Sequence, residues 1–201
     1  MKLAATLFSF ILFISACNTG TKKLPYLSVL STDNGDTVFR EYPEFEFINQ
    51  DAKKVTHETF AGKVYVADFF FVSCPTICPI MSKNLKKVYE KYNDREDFLI
   101  LSHSIDTRHD SVPVLNEYAS RLGVTSDTWH FVTGKKDDIY SIGYNFYMAT
   151  IQEDDSPGSG GYLHSGGLIL VDKKGKIRGV YDGTNDSQVG QLIADLKYLL
   201  K

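Results

Sequence analysis

Two cysteines and one histidine have the most chemistry to offer. Cys74 and Cys78 stand four apart in Ser73-Cys74-Pro75-Thr76-Ile77-Cys78-Pro79. An apolar, aromatic run, Val64 to Val72, leads into them. Met81, Leu85, Val88 and Tyr92 follow at offsets 0, 4, 7 and 11, the period of a helix. A strand therefore enters the turn that holds the pair, and a helix leaves it. Pro75 suits the first helical position, where no N–H is needed, and Pro79 is tolerated only near a helix start. The partial positive charge of a helix N-terminus favours thiolate over thiol. One helical turn sets residues i and i+4 about 6 Å apart, within reach of a disulfide or of one metal ion. A disulfide across so short a loop adds little stability, so a purely structural bond is the weaker reading.

The surrounding pattern supplies the frame. Leu24 to Tyr42 alternates around Asn34-Gly35 and predicts a small hairpin. Glu44 to Asn49 alternates as an edge strand does. Asp97 to Ile105 holds a strand, Ser111 to Leu122 a helix with Val112, Leu115, Tyr118 or Ala119, and Leu122 inward, and Trp129 to Val132 a short strand. Asp137 to Tyr144 reads as a short helix. Gln152 to Gly161, rich in Asp, Ser, Pro and Gly, reads as a mobile surface loop, the part expected to move when metal binds. Gly167 to Asp172 and Ile177 to Tyr181 flank a Lys/Gly turn as a hairpin, and Asn185 to Leu200 closes the chain as a helix. Alternating β and α, then a hairpin and a last helix, is the order of a thioredoxin-like α/β fold. Such a fold is a mixed β-sheet flanked by helices, here with an N-terminal β-hairpin extension.

In that layout the loop before the Leu168 strand lies against the cysteine turn. His164, in Tyr162-Leu163-His164-Ser165-Gly166-Gly167, occupies this loop and is placed near the two thiols. His57 stands in a polar stretch, His109 in a charged turn and His130 in a strand. His103, near a strand end, either flanks the site or is polar on an edge. Phe69-Phe70-Phe71 is expected to be core.

The third cysteine belongs to an address. Lys2 precedes an almost wholly apolar run, Leu3 to Ile14. About 12 residues are too few to span a bilayer as a helix but suit a signal peptide. Ile14-Ser15-Ala16-Cys17 resembles a bacterial lipobox, in which Cys17 would become the lipidated first residue. Residues 1–16 are then a lipoprotein signal peptide, 17–23 a lipidated tether, and 24–201 one domain. The domain is expected in an extracytoplasmic, oxidising space, on the periplasmic side of a membrane, held by its lipid. The 201 residues, 43% hydrophobic and 23% charged, exclude collagen-like or wholly disordered chains. A net charge of -3 argues against nucleic-acid binding.

The sequence resembles the Sco/SenC family of extracytoplasmic copper proteins that assist cytochrome c oxidase assembly. The likeness rests on Cys74-Pro-Thr-Ile-Cys78-Pro79 after an aromatic strand. Ser104-Ile105-Asp106 with Arg108, Asp110 and Pro113, then Trp129 to Gly134, and His164-Ser165 before a strand extend it. It covers roughly Phe45 to Leu200. It implies that Cys74, Cys78 and His164 bind copper, and that the cysteines also form a redox pair. Leu163 and Thr107 stand where the family often has Asp and Pro. Leu163 removes a carboxylate that could support the histidine. Asp106 is the carboxylate expected nearby.

Chemistry agrees with that implication. Cu(I) is soft and favours thiolate, with imidazole as a third ligand, while Cu(II) would need one more. In an oxidising space the pair tends to close, which implies a reductant, thioredoxin-like in the family. The implied recipient is the copper site of cytochrome c oxidase subunit II. A monomeric copper chaperone is therefore expected. Its main rival is a thiol–disulfide oxidoreductase acting on a partner's cysteines. Against that rival, three residues separate the cysteines instead of two, and no proline stands just before the Leu168 strand. A thiol peroxidase lacks its Thr-x-x-Cys arrangement, and a purely structural lipoprotein leaves the thiols without purpose.

Overall fold

Residues 23–33, 36–154 and 161–201 are described by the computed structural model of the chain. β1 (Val29–Asp33) and β2 (Asp36–Phe39) pair antiparallel as the expected hairpin, whose residues 34 and 35 lie outside the described set. There follow β3 (Glu46–Asn49), β4 (Lys54–Thr56), α1 (His57–Phe60), β5 (Val64–Phe70) and α2 (Cys78–Tyr92). Next come β6 (Phe98–Ser104), α3 (Val112–Leu122), β7 (Trp129–Thr133) and α4 (Lys136–Ile142). The chain ends with β8 (Ile151–Asp154), β9 (Gly161–His164), β10 (Gly167–Val171), β11 (Ile177–Asp182) and α5 (Asp186–Leu199).

Among the described residues, seven strands form one mixed sheet in the order β11-β10-β5-β6-β7-β3-β4. β5, β6 and β7 run parallel, joined by α2 and α3, because parallel neighbours need a crossover and a helix supplies it. All seven residues of β5 and of β6 are buried. That two-sided burial explains why apolar residues fill both faces of β5, Asp68 apart, and the first four positions of β6. Phe69, Phe70 and Phe71 are core, as expected. So are Met81, Leu85, Val88 and Tyr92 on α2.

Three expectations need correction. β3 is not the edge: β4 pairs outside it, through a tight turn in which the Asn49 carboxamide oxygen accepts the N–H groups of Asp51 and Lys53. A three-residue strand is too short to show a period. Helix α2 starts at Cys78, not at Pro75. A helix begun at Pro75 would carry Pro79 in its second turn, where the ring clashes and a hydrogen bond is lost. Begun at Cys78, it carries Pro79 among the donors that have no partner anyway. The cysteines are thus not one helical turn apart: Cys74 lies in the preceding turn, its N–H on the Phe71 carbonyl. Finally, the segment expected as a loop contributes strands at both ends. β8 and β9 pair antiparallel, from Ile151 opposite His164 to Asp154 opposite Gly161. Buried Ile151 and Tyr162 anchor that ribbon, while its polar remainder hides it from periodicity. The middle of the segment, 155–160, on which the expected motion on metal binding falls, lies outside the described residues.

Elsewhere the elements match. α4 gives way to a π-helical turn, Gly143–Tyr147, instead of ending at Tyr144. A Cβ on Gly143 would meet the Ile151 Cδ1, so a larger residue here would force that side chain to shift as the turn packs against β8. Of the residues expected inward on α3, Leu115 and Ala119 are buried, while Val112, Tyr118 and Leu122 are half-buried. Asn185 caps α5 by accepting from the N–H groups of Ser187 and Gln188. No helix among the described residues is long and apolar enough to cross a membrane.

Candidate metal centre

The end of β5, the start of α2 and the end of β9 meet at one point. There the sulfurs of Cys74 and Cys78 and a ring nitrogen of His164 all lie within 4.8 Å of one another. The residues are 7%, 2% and 7% exposed. Nε2 of His164 stands 3.1 Å from Sγ of Cys78. Its Nδ1–H donates to the Ser165 carbonyl at 3.2 Å, which turns Nε2 towards the thiols. The Phe71 ring meets the imidazole edge to face at 5.8 Å. The Asn84 carboxamide, from α2, donates to the Gly183 carbonyl, and the Gly183 N–H donates to Gly166. These bonds tie the histidine loop to the cysteine helix.

The two thiols differ. The Cys78 thiol hydrogen-bonds Cys74 and, with help from His164, holds it far below an ordinary thiol, at about 3. The same bond, and burial, push Cys78 well up. One sulfur is a thiolate and the other keeps its proton, because two anionic sulfurs so close would repel. Cys74, Cys78, Val72, Pro79, Ser82 and Tyr118 border a cavity of about 240 Å³. The cavity opens a path to the sulfurs.

The fold brings together the two cysteines and His164, and leaves the other candidates elsewhere. His103 is fully buried, stacked on Phe69 at 4.7 Å, with Nδ1–H donating to the Asp68 carbonyl. It is core, neither a flank of the site nor an edge. His130 is buried and accepts from the Asn49 carboxamide. Asp106 touches none of the three ligands. It accepts from the Tyr162 hydroxyl at 2.9 Å and binds the His109 ring at 2.8 Å. Tyr162 packs on Phe71 at 5.1 Å, two residues before His164 on the same strand. Asp106 thus supports the histidine through β9.

One carboxylate escaped the sequence reading. Asp68 lies buried in β5, accepting from the Ser102 hydroxyl, which in turn accepts from the Trp129 indole at 2.8 Å. Burial pushes Asp68 up to about 7, against the Ser102 hydrogen bond and the favourable charge of His164. Its own charge opposes ionisation of Cys78. The available signal was one acid inside an otherwise apolar run, Val64 to Val72.

The donor set fits a soft ion. Nitrogen and sulfur ligands about 2.0–2.3 Å from a metal sit about 3.5–4 Å apart in a trigonal plane. The observed spacing needs only small side-chain adjustments to reach that. A thioredoxin-like sheet with two unequal thiols and a pre-oriented imidazole at the end of its central strand defines a thiol-based metal or redox domain. The chain belongs to the SCO1/SenC family, whose model matches residues 35–201.

Relatives match over almost the whole domain. The SCO1 protein homolog of Bacillus subtilis (strain 168) is 28% identical over 98% of this chain and 97% of its own. A SCO1/SenC family lipoprotein from Bacillus anthracis str. Ames superposes with a TM-score of 0.72, at 27% identity, over 80% of this chain and 95% of that one. BsSco, described by its disulfide switch and as a member of the Sco family of cytochrome c oxidase assembly proteins, gives 0.69 at 30% identity over 79% and 92%. Bradyrhizobium japonicum ScoI, solved with copper bound, shares the fold at 0.66 and 19% identity over 78% and 98%.

Proposed function

We propose that this chain is an extracytoplasmic copper-binding protein, a metallochaperone that assists assembly of the copper centre of cytochrome c oxidase. Its cargo is one Cu(I), held by Cys74, Cys78 and His164. The carrying observation is the buried group of two sulfurs and Nε2, with the histidine ring already turned towards the sulfurs. Cys74 is a ligand ready in its anionic form. Cys78 gives up its proton on loading, so uptake releases about one proton from the pair. Among the described residues, no fourth His, Cys, Asp or Glu joins the cluster. An incoming ligand can therefore displace these one at a time, as handover to oxidase subunit II requires. Cu(II) would take an added ligand. The pair must be reduced before loading, which assigns a thioredoxin-like reductant as a second partner. Lipidated Cys17 holds the monomer at a membrane, a reading in line with the Bacillus anthracis lipoprotein.

A Cu(I) titration of the reduced chain against a competing chelator tests this. One tight equivalent is expected, lost in Cys74→Ser/Cys78→Ser and much weakened in His164→Ala. Binding no tighter than that of the cysteine-free variant would remove the copper reading.

A second reading, thiol–disulfide exchange on a partner, is favoured by one observation. The low-lying Cys74 thiolate borders a cavity, with a protonated Cys78 beside it. That arrangement suits attack by one sulfur and resolution by the other. Without copper binding, turnover of a partner disulfide would make this the primary activity.

The strand that carries His164 yields a further expected result. Tyr162→Phe removes the hydroxyl that Asp106 holds. Cu(I) affinity should fall about tenfold, the lower range for loss of a group supporting a ligand. The fall should be smaller than in His164→Ala, with reactivity of the thiols unchanged. Equal affinity in competition against the chelator would deny Asp106 and Tyr162 this supporting role.

A further inference from the structure

Large apolar side chains are exposed mainly in one place. Nine are exposed among the described residues, and five of them, Tyr26, Leu27, Val29, Leu30 and Val38, belong to the β1–β2 hairpin and its approach. Leu30 is the most exposed, at 55%. Such a concentration marks an interaction surface. Basic groups border it. Arg178 donates to the carbonyls of Leu24 and Pro25 and lies over the Tyr26 ring at 4.2 Å. The Lys176 ammonium lies 4.9 Å over Phe39. Exposed Lys23 and Lys174 form no ion pair among the described residues.

We infer that this hairpin and the basic β10–β11 turn dock on a lipid bilayer bearing anionic headgroups. The inference rests on the proposed anchoring of Cys17. Six residue steps separate Cys17 from Lys23, a span of at most about 20 Å. A lipid on Cys17 therefore keeps the hairpin within reach of the headgroups. The lipid holds the chain at the membrane without fixing its orientation, and a basic, apolar patch beside the tether supplies the contact that fixes it.

Docking here sets the orientation of the metal centre. The Leu27 N–H bonds the Ile177 carbonyl, and Val171, opposite Ile177, also pairs with Tyr65 at the start of β5. Cys74 follows the other end of β5. Seven strand residues at about 3.3 Å each put the thiols about 20 Å from the hairpin's attachment. The thiols then face the aqueous side, where a partner's soluble domain can approach.

The test uses the full, lipid-modified chain in phosphatidylglycerol/phosphatidylethanolamine vesicles with brominated acyl chains. A tryptophan is introduced as Leu30→Trp, or as Ile80→Trp on exposed α2 at the thiol end. Buried Trp129 is a constant background. Brominated lipid should quench at least half of the emission added by Leu30→Trp and almost none of that added by Ile80→Trp. Phosphatidylcholine vesicles should quench Leu30→Trp less. Equal quenching at both positions overturns the inference, as does Leu30→Trp emission that changes with protein concentration and not with lipid, the sign of a second copy on this face. Flotation separates the two ideas. A chain that floats but shows no quenching loses only the hairpin's role, while one that neither floats nor is quenched loses both. Quenching with Cys17 unmodified supports the hairpin without the anchor.

Discussion

Iodoacetamide is expected to alkylate Cys74 at a nearly constant rate from pH 5 to pH 8 in the reduced, metal-free protein. An ordinary thiol reacts about tenfold faster for each pH unit over that range, because only its thiolate is the nucleophile. Cys74 is already a thiolate throughout, since the Cys78 thiol donates to it and His164 assists, holding it at about 3 against an ordinary 9.0. At pH 5 this raises the thiolate fraction about 10⁴-fold. A weaker base is also a weaker nucleophile, by about 2.7 decades over six units at a Brønsted slope of about 0.45. The net gain at pH 5 is about 20-fold over an ordinary thiol. Above about pH 6.3, where the two effects cancel, the sign reverses and Cys74 is the slower of the two. Cys78, protonated and more deeply buried, should stay unlabelled at pH 5. Cys78→Ala removes the donor, and the tenfold climb per pH unit should return. Mass spectrometry of peptides quenched over time reads both sites at once. A wild-type rate that climbs tenfold per unit would mean that Cys74 is no thiolate, and the unequal pair would have to be given up.

Much of this site was legible in the chain. Cys74, Cys78 and His164 meet where the strand-turn-helix pattern and the loop before the Leu168 strand place them. The legible part is carried by local rules: an apolar run into a Cys/Pro turn, helical spacing after it, and hairpin alternation. What was missed depends on pairing across the fold. Tyr162 looks like one residue of a polar loop until β8 pairs with β9 and aims its hydroxyl at Asp106. Asp68 is masked by its apolar neighbours, and only the register of β5 with β6 puts it opposite Ser102. His103 shows the converse. Near a strand end it looks like a possible site residue, but two-sided burial of β6 turns it into the core.

Those buried groups set the final expectation: in the Cys74→Ser/Cys78→Ser protein, unfolding free energy should fall by about 2 kcal/mol between pH 6 and pH 4.5. Burial lowers His103 and His130 from 6.5 to about 4. Each therefore stabilises the fold above pH 6.5, and that contribution is lost as pH falls towards 4, because the unfolded chain takes up protons that the folded one refuses. Asp68 acts oppositely. Raised from 3.8 to about 7, it keeps its proton in the fold while the unfolded chain releases it. Its contribution is full below 3.8 and lost as pH rises through 7. Within the window the unfolded state gains two protons at the histidines and lacks one at Asp68, a net excess of about one. One proton corresponds to about 1.4 kcal/mol per pH unit, or about 2 kcal/mol over 1.5 units. Asp110 is also raised by burial and flattens the lower end of the window. Replacing the cysteines removes the Cys74 titration, which would otherwise add to the slope. Asp68→Asn keeps an acceptor for the Ser102 hydroxyl and removes the opposing proton, so the loss should double to about 4 kcal/mol. Urea unfolding at four pH values, with and without Asp68→Asn, measures both slopes. Equal slopes would mean that Asp68 is ionised in the fold, and the buried β5 acid would then stand as a charge behind the thiols.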